Sequence, residues 1–294
     1  MSGLRILFMG TPEFAVPSLG AILVAGHTIV GVVTQPDKPT GRGKVLTAPP
    51  VKNFAVNHKI PVFQPERVSR EIDEILLNTG GADVIVTCAF GQILKQNVID
   101  ACRFGVVNVH ASILPKYRGA NPIAAAILNG ETETGVTIMQ TDIGIDTGDM
   151  IKIVKTAIEP TETTGELSVR LAKIGAEALV EVLNTLSVGG KIVKTPQNHH
   201  AASYFPMFKR EFARIDFKKS PKEIVNLVRA MNPNPVAFAD STCGEVKIYR
   251  AHVGTAADRY GLVGQLVVDE IKAPGGRVLS YKDFLNGHKG FEFK

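Results

Sequence analysis

The chain is poor in cysteine, with only Cys88, Cys102 and Cys243 among its 294 residues. Three irregularly spaced thiols are too few for a framework of disulfide bonds, and they lack the paired spacing of a zinc site. Cys88 lies in an apolar stretch and is interpreted as a packing residue. His199 and His200 are adjacent, but no further ligand lies near them, so a loop with incidental histidines is favoured over a metal site. We therefore expect no metal.

Long hydrophobic runs are also missing. No stretch approaches the roughly 18 consecutive apolar residues of a membrane-spanning helix, so no membrane association is expected. A composition of 45% hydrophobic and 21% charged residues is typical of soluble globular proteins. The short apolar run near the N-terminus is followed by Gly10-Thr11-Pro12, which suits a turn and a helix cap better than a cleavage site. The predicted location is the cytoplasm.

Two common phosphate-binding motifs are absent as well. Gly10-Thr11-Pro12 follows the first predicted strand, but it is not the G-x-G-x-x-G of dinucleotide-binding folds. Gly41-Arg42-Gly43-Lys44 has neither the spacing nor the Ser/Thr of a P-loop. A dinucleotide site and a P-loop are therefore both disfavoured.

What the sequence does contain is a regular alternation of strands and helices. Helical patterns lie near 67–78 and 121–129, and strands are predicted at 4–9, 28–33, 60–63, 82–89, 106–110 and 136–140. This alternation predicts an α/β fold with a Rossmann-like, doubly wound parallel sheet. Ligands of such sheets bind beyond the carboxyl ends of the strands.

A length of 294 residues suits two domains. Residues 163–166 fit a capping box for a long core-facing helix, which Gly189 and Gly190 end. We predict a first domain at 1–190, a polar linker at 191–208 and a second domain at 209–294. The second domain combines a helix at 221–231 with short strands at 236–239, 246–251, 261–268 and 278–279. This combination is typical of a smaller OB-like β-barrel, and such barrels commonly bind nucleic acid.

The positive charge is unevenly distributed. Residues 1–204 hold 18 basic and 18 acidic residues, whereas residues 205–294 hold 15 and 10, so the whole excess of +5 lies in the last third. A localised basic surface favours a polyanionic partner. An ordinary soluble surface is the alternative, and charge counts alone leave both open.

One connection, at 34–47, is unusually long for a strand-to-helix join. It contains Lys38, Arg42 and Lys44 together with two glycines and two prolines. Such a flexible, basic loop could close on a phosphate backbone. Composition alone slightly favours the alternative, a solvated surface loop.

Three polar residues give the clearest chemical signal. Asn108 and His110 lie two residues apart at the end of a predicted strand, so they share one face. Asp146 lies in a Gly- and Asp-rich loop after the next strand. An amide, an imidazole and a carboxylate suit acyl transfer without a covalent enzyme intermediate, as oxyanion donor, acid/base and orienting group. A lone strand histidine is more often structural, but the two neighbours favour catalysis.

The spelling of this region resembles the folate-dependent formyltransferases. Their hallmark is Asn-x-His, then Ser-Leu-Leu-Pro-x-Tyr-Arg-Gly, then a later loop Asp; here Ile113 replaces the first Leu. MGTPEFAVP at 9–17, the loop at 35–44, AFGQIL at 89–94, ARIDF at 213–217 and RAMNP at 229–233 are similar to the methionyl-tRNA formyltransferase family. The resemblance covers essentially the whole chain. The departures are Lys95, where the family often has Pro, and the linker spelling at 207–210.

The resemblance implies formyl transfer from 10-formyltetrahydrofolate, as co-substrate, to the α-amine of initiator methionyl-tRNA. We expect the protein to be a monomer. Asn108 and His110 would stabilise the oxyanion, and Asp146 would orient His110 and help move a proton. The implied folate-binding residues are Phe90, Gly91, Gln92, Ile93, Ser112, Ile113, Leu114, Pro115 and Asp142. The implied tRNA-binding residues are Lys38, Arg42, Lys44 and Lys209.

Two alternatives remain. One is another 10-formyltetrahydrofolate-dependent enzyme, acting on glycinamide ribonucleotide or a nucleotide sugar. The first kind usually lacks a basic C-terminal domain, and neither needs the loop at 34–47. The other alternative is a non-enzymatic RNA-binding protein of the same fold, which requires Asn108, His110 and Asp146 to be incidental.

Overall fold

The computed structural model of the protein describes residues 3–41, 43–256, 258 and 264–294. The strands are β1 (Arg5–Gly10), β2 (Thr28–Val33), β3 (Lys38–Thr40), β4 (Val45–Thr47), β5 (Val62–Phe63), β6 (Val84–Cys88), β7 (Val106–His110), β8 (Arg118–Gly119), β9 (Glu133–Gln140), β10 (Met150–Ala157), β11 (Tyr204–Phe205), β12 (Ala237–Ser241), β13 (Gly244–Val253), β14 (Leu266–Lys272) and β15 (Leu279–Ser280). The α-helices are α1 (Val16–Val24), α2 (Pro50–Asn57), α3 (Val68–Thr79), α4 (Gln96–Ile99), α5 (Pro122–Leu128), α6 (Thr164–Ser187), α7 (Pro221–Met231) and α8 (Tyr281–Gly287).

The main sheet has seven strands in the order β10-β9-β7-β6-β1-β2-β5. Strands β7, β6, β1, β2 and β5 run parallel, and their segments are apolar because helices cover both faces of such sheets. The predicted Rossmann-like class is therefore confirmed. The sheet is not wholly parallel, since β9 runs antiparallel to β7. An antiparallel edge is common on sheets of this type.

The strand order reverses between β1 and β6, which creates the crevice where ligands of doubly wound sheets bind. The loops after these two strands contact each other, because the Thr11 hydroxyl donates to the Phe90 carbonyl at 2.9 Å. Strand β7 lies beside β6, with Asn108 opposite Thr87. The carboxyl ends of β1, β6 and β7 therefore meet at one edge, and this places Asn108 and His110 there.

The chain divides into two compact units. The first contains the residues up to 119 together with 135–155 and 169–204, and the second contains 120–134, 156–168 and 205–294. In the second unit an antiparallel sheet, β12-β13-β14-β15, packs with α7. Helix α7 begins with a capping box between Ser220 and Glu223 and with Pro221 in its first turn. The predicted smaller antiparallel β-rich part is confirmed.

Several elements differ from the pattern in the sequence. Strand β10, helix α8 and the short hairpin of β3 and β4 were not predicted. All residues of strands β3 and β4 are exposed, so the sequence shows no alternation of buried apolar and exposed polar residues there. The predicted strand at 261–268 begins at Leu266, and residues 261–263 lie outside the described part of the chain. Among the described residues, no helix is both long and apolar enough to cross a bilayer.

Candidate active site

Asn108 is half-buried near the end of β7. Its Oδ1 accepts a 2.8 Å hydrogen bond from the hydroxyl of Thr87 on the neighbouring strand. This bond fixes the orientation of the amide, so the NH₂ group is the end that remains to donate. In the described part of the chain, no protein acceptor is recorded for that NH₂ group.

His110 ends β7 and is 6% exposed. Its Nε2 lies 2.9 Å from the carbonyl oxygen of Tyr117, and a carbonyl can only accept. Nε2 therefore carries a proton, and Nδ1 is the ring nitrogen left for chemistry. Nδ1 lies 3.6 Å from Oδ1 of Asp146, longer than a hydrogen bond but within ion-pair distance.

Asp146 is held in an unusual backbone conformation, with φ of 53°. The left-handed region is costly for residues other than glycine, and asparagine and aspartate tolerate it best. Its Oδ2 accepts the backbone N–H of Gly119 at 2.8 Å, which leaves Oδ1 facing His110. The surrounding loop is tightened by Asp142, whose Oδ1 accepts from the Thr147 hydroxyl and from the Gly144 N–H.

The segment from Ser112 to Pro115 follows β7 directly. Ser112 is fully buried, and its hydroxyl donates to the Lys116 carbonyl at 2.7 Å. Leu114 is buried, whereas Ile113 and Pro115 are half-buried. Ser112 and Leu114 therefore shape the loop from inside, whereas Ile113 and Pro115 keep accessible surface, as does the exposed Asp142.

The segment from Phe90 to Ile93 follows β6. Phe90 is 5% exposed and Ile93 is 77% exposed. Gln92 is engaged in structure, because its Oε1 accepts the Val68 N–H and its Nε2 donates to the Pro65 carbonyl. Gly91 has φ of 85°, which places the backbone in a conformation that side chains disfavour.

The basic loop is a small hairpin with an anchored base. Lys38 and Lys44 are exposed on it, and Arg42 lies outside the described residues. At the base, Asp37 accepts from Lys52 at 2.8 Å and from Gln64 at 2.8 Å. The hydrogen bonds from Lys52 and then Gln64 lower the pKa of Asp37. Lys209, in the second unit, is also exposed.

Covalent catalysis by Cys88 or Cys102 is disfavoured. Burial raises the pKa of Cys88 to about 12 and that of Cys102 to about 11, so both are neutral thiols near pH 7. In the ranges that the structure describes, no group of three or more His, Cys, Asp or Glu side chains is arranged to hold a metal ion.

Reasoning from the sequence missed several supporting groups: Thr87, the Tyr117 carbonyl, the Gly119 N–H, Arg118 and Gln197. Backbone groups leave no trace in a sequence. Arg118 and Gln197 lie 79 residues apart along the chain, and no spacing rule connects them.

Comparison with known proteins identifies the family of the chain. A family model described as formyl transferase matches residues 4–183, and one described as formyl transferase, C-terminal domain, matches residues 207–289. The chain is similar to proteins named methionyl-tRNA formyltransferase from Geotalea uraniireducens (45% identity; 98% of this chain, 96% of the relative) and from Geobacter metallireducens (42% identity; 98% and 96%).

Among solved structures, the chain is similar to an N-formyltransferase from Helicobacter canadensis in complex with folinic acid and dTDP-3-aminofucose. The TM-score is 0.62 at 21% identity, over 94% of this chain and 98% of that one. At this identity the likeness concerns the fold. Taken with the family models and the relatives above 40% identity, it means that the chain belongs to the formyl transferase family and, within it, to the methionyl-tRNA formyltransferases.

Proposed function

We propose that the protein transfers a formyl group from 10-formyltetrahydrofolate to the α-amine of initiator methionyl-tRNA. The observation that carries the proposal is the juxtaposition of His110 and Asp146 at 3.6 Å, with Asn108 two residues before His110 at the same sheet edge. The identity of the formyl acceptor is inferred from the family, because a relative with 45% identity is named methionyl-tRNA formyltransferase.

The first chemical step forms a bond between the amine nitrogen and the formyl carbon, and the carbonyl oxygen becomes an oxyanion. Asn108 donates to this oxygen through the NH₂ group that Thr87 orients. His110 donates through Nδ1, because Nε2 is committed to the Tyr117 carbonyl. His110 must therefore be protonated when it stabilises the oxyanion.

The second step breaks the bond between the formyl carbon and N10 of the folate. The attacking amine loses one proton and N10 gains one. Asp146 is placed to relay this proton, directly or through a water molecule, and to balance the positive charge on His110. No covalent bond to the enzyme forms, which agrees with the buried, neutral state of Cys88 and Cys102.

The folate is assigned to the crevice at the carboxyl ends of β1, β6 and β7. Phe90 to Ile93 and Ser112 to Pro115 follow two of these strands, and Asp142 opens the loop that contains Asp146. Main-chain groups and the apolar surface of Ile93 and Ile113 suit a flat heterocycle. No metal enters the proposal.

The tRNA is assigned to the basic hairpin and to the second domain at 209–294, which includes Lys209 and lies in the part of the chain with the charge excess. Formylated initiator tRNA serves translation, so the proposal places the protein in the cytoplasm. The expectation of a monomer stays a prediction.

The test is an acceptor assay with purified protein and 10-formyltetrahydrofolate. We expect formylation of initiator methionyl-tRNA, and none of uncharged tRNA. Glycinamide ribonucleotide and amino-sugar nucleotides should not be formylated. Preferred transfer to either of those would assign the protein to a different acceptor class, and tRNA binding without any transfer would favour the RNA-binding alternative.

Lys44 of the hairpin has a matched control in Lys59, which lies just after helix α2. Lys44 and Lys59 are both exposed and both have positive φ, 47° and 57°, so replacement by Ala perturbs the backbone similarly. Lys44→Ala is expected to weaken tRNA binding and to reduce the salt slope by roughly one, because it removes one phosphate contact. Lys59→Ala should leave both unchanged. Filter binding from low to high salt measures the difference, and equal behaviour of the two variants would remove Lys44 from the tRNA contact.

Arg42 is predicted from the sequence to contribute more than a point charge. A guanidinium can fork onto a phosphate or a base edge, which Lys cannot do. Arg42→Leu should strongly lower kcat/KM for initiator methionyl-tRNA without a comparable loss of folate-analogue binding. Arg42→Lys should retain part of the kcat/KM that Arg42→Leu loses. Unchanged kinetics in Arg42→Leu would favour the alternative interpretation, in which the loop at 34–47 is a solvated surface loop without a role in tRNA binding.

A further inference from the structure

Arg118 is a buried cation with an unusual set of partners. It is 1% exposed and is among the largest fully buried side chains of the described residues. Its Nε and Nη2 donate to Oε1 of Gln197 at 3.0 and 2.6 Å, and its Nη1 donates to the Tyr204 hydroxyl at 2.6 Å. Buried charges are normally paired with opposite charges. In the part of the chain that the structure describes, the recorded acceptors of Arg118 include no carboxylate.

Gln197 uses its other end on the loop of Asp146. It is 5% exposed, and its Nε2 donates to the carbonyls of Asp146 and Gly148 at 2.9 and 2.7 Å. Because Arg118 can only donate, Oε1 of Gln197 must face it and the NH₂ group must face the loop. Arg118 therefore fixes which way the Gln197 amide points.

These contacts hold a strained residue. Asp146 has φ of 53°, and such conformations persist when the surroundings over-determine them. Gln197 holds the main chain of Asp146, and the backbone N–H of Gly119, next to Arg118 in the chain, holds its carboxylate at 2.8 Å. The position of Oδ1 relative to His110 thus depends on groups that lie outside the loop.

We propose that Gln197, oriented by Arg118, is a positioning residue that holds the Asp146 loop in the geometry needed for formyl transfer. The proposal rests on the proposed function, in which Asp146 relays the proton. Neither residue needs to touch a substrate for this role. Loss of the two Gln197 donors should therefore lower kcat, while KM for methionyl-tRNA stays nearly constant.

Gln197→Glu is the sharpest variant. A glutamate has the same length and still accepts from Arg118, now as an ion pair, but it cannot donate to the carbonyls of Asp146 and Gly148. We expect kcat to fall at least about tenfold, since a displacement of about 1 Å at a catalytic group can cost 100-fold. His200→Ala is the matched control, because His200 is exposed in the same segment and no side-chain bond is recorded for it in the described residues. Its kcat should be unchanged.

A double-mutant cycle separates positioning from a structural role. If Gln197 acts through Asp146, then Gln197→Glu should change kcat by less than about twofold in an Asp146→Asn background. Independent, multiplicative losses, or a fall in kcat matched by a loss of folded protein in the melting curve, would overturn the proposal. If Gln197→Glu does not fold, the same cycle is run with Gln197→Asn, which keeps the amide but is too short to span both partners. An active Asp146→Asn protein would instead contradict the proposed function itself.

Discussion

Asn108→Ala is expected to lower kcat by about 100- to 1000-fold, the usual cost of losing one oxyanion donor. His110→Ala and Asp146→Asn should each lower kcat at least about tenfold, because they remove the second donor and the proton relay. The fold should survive, since Asn108 and His110 lie near the carboxyl end of β7 and Asp146 lies in a loop, outside the apolar core of the sheet. Steady-state kinetics with initiator methionyl-tRNA, together with thermal melting, measure both effects.

A matched control is Asn97→Ala. Asn97 is exposed and its side chain also makes one recorded hydrogen bond, to the Ser69 carbonyl at 2.8 Å. It is expected to keep wild-type kcat. Near-wild-type turnover in any of the three site variants would remove that residue from the mechanism. A melting temperature more than a few degrees below that of Asn97→Ala would instead indicate a structural role.

Gly148→Ala should disable the site from within the loop. A Cβ at Gly148 would overlap the carbonyl oxygen of Gln140 and approach the Asp142 nitrogen to 3.1 Å, so the backbone must move. Gly148 also provides one of the carbonyls that Gln197 holds. We expect a destabilisation of about 1–3 kcal/mol, as in overpacked cores, and a fall in kcat of about 100-fold.

The control for this variant is Gly287→Ala, because a Cβ at Gly287 would meet no atom within 4 Å apart from its chain neighbours and the backbone of its own helix. Both variants add one methyl group to a glycine, so any difference between them reflects local space. Chemical denaturation and kcat for methionyl-tRNA give the two readouts. Equal behaviour of the two variants would mean that the Asp142 to Asp149 loop adapts freely.

Much of the fold was accessible from the sequence because its strands are buried and apolar. Strands β2 and β7 and helix α7 occupy the predicted residues. Strand β10 was missed because the polarity of its residues does not follow their burial: Lys152 is half-buried, whereas Ile153 is exposed. Periodicity detects a strand only when burial makes its pattern regular.

The candidate site was accessible in part. Asn108 and His110 are revealed by their spacing of two on one strand, and Asp146 by the spelling of its loop. The tautomer of His110 could not be predicted, because it is set by a backbone carbonyl, that of Tyr117. The role of Gln197 could not be predicted either, because its segment is polar and reads as an ordinary linker. In the structure this segment packs against the Asp146 loop, so Gln197 is buried although the polar composition of the segment predicts exposure.

The partners of Arg118 determine how short an autonomous catalytic fragment can be. Both Gln197 and Tyr204 come after the end of helix α6 at Ser187. A fragment that ends at Ser187 would keep every strand of the main sheet. The buried guanidinium of Arg118 would nevertheless lose both of these acceptors. An uncompensated buried charge costs about 3–5 kcal/mol, a large share of the roughly 5–15 kcal/mol that stabilises a typical domain. Extending the fragment through Tyr204 restores both acceptors, so fragment boundaries and split-protein designs should be chosen beyond that residue.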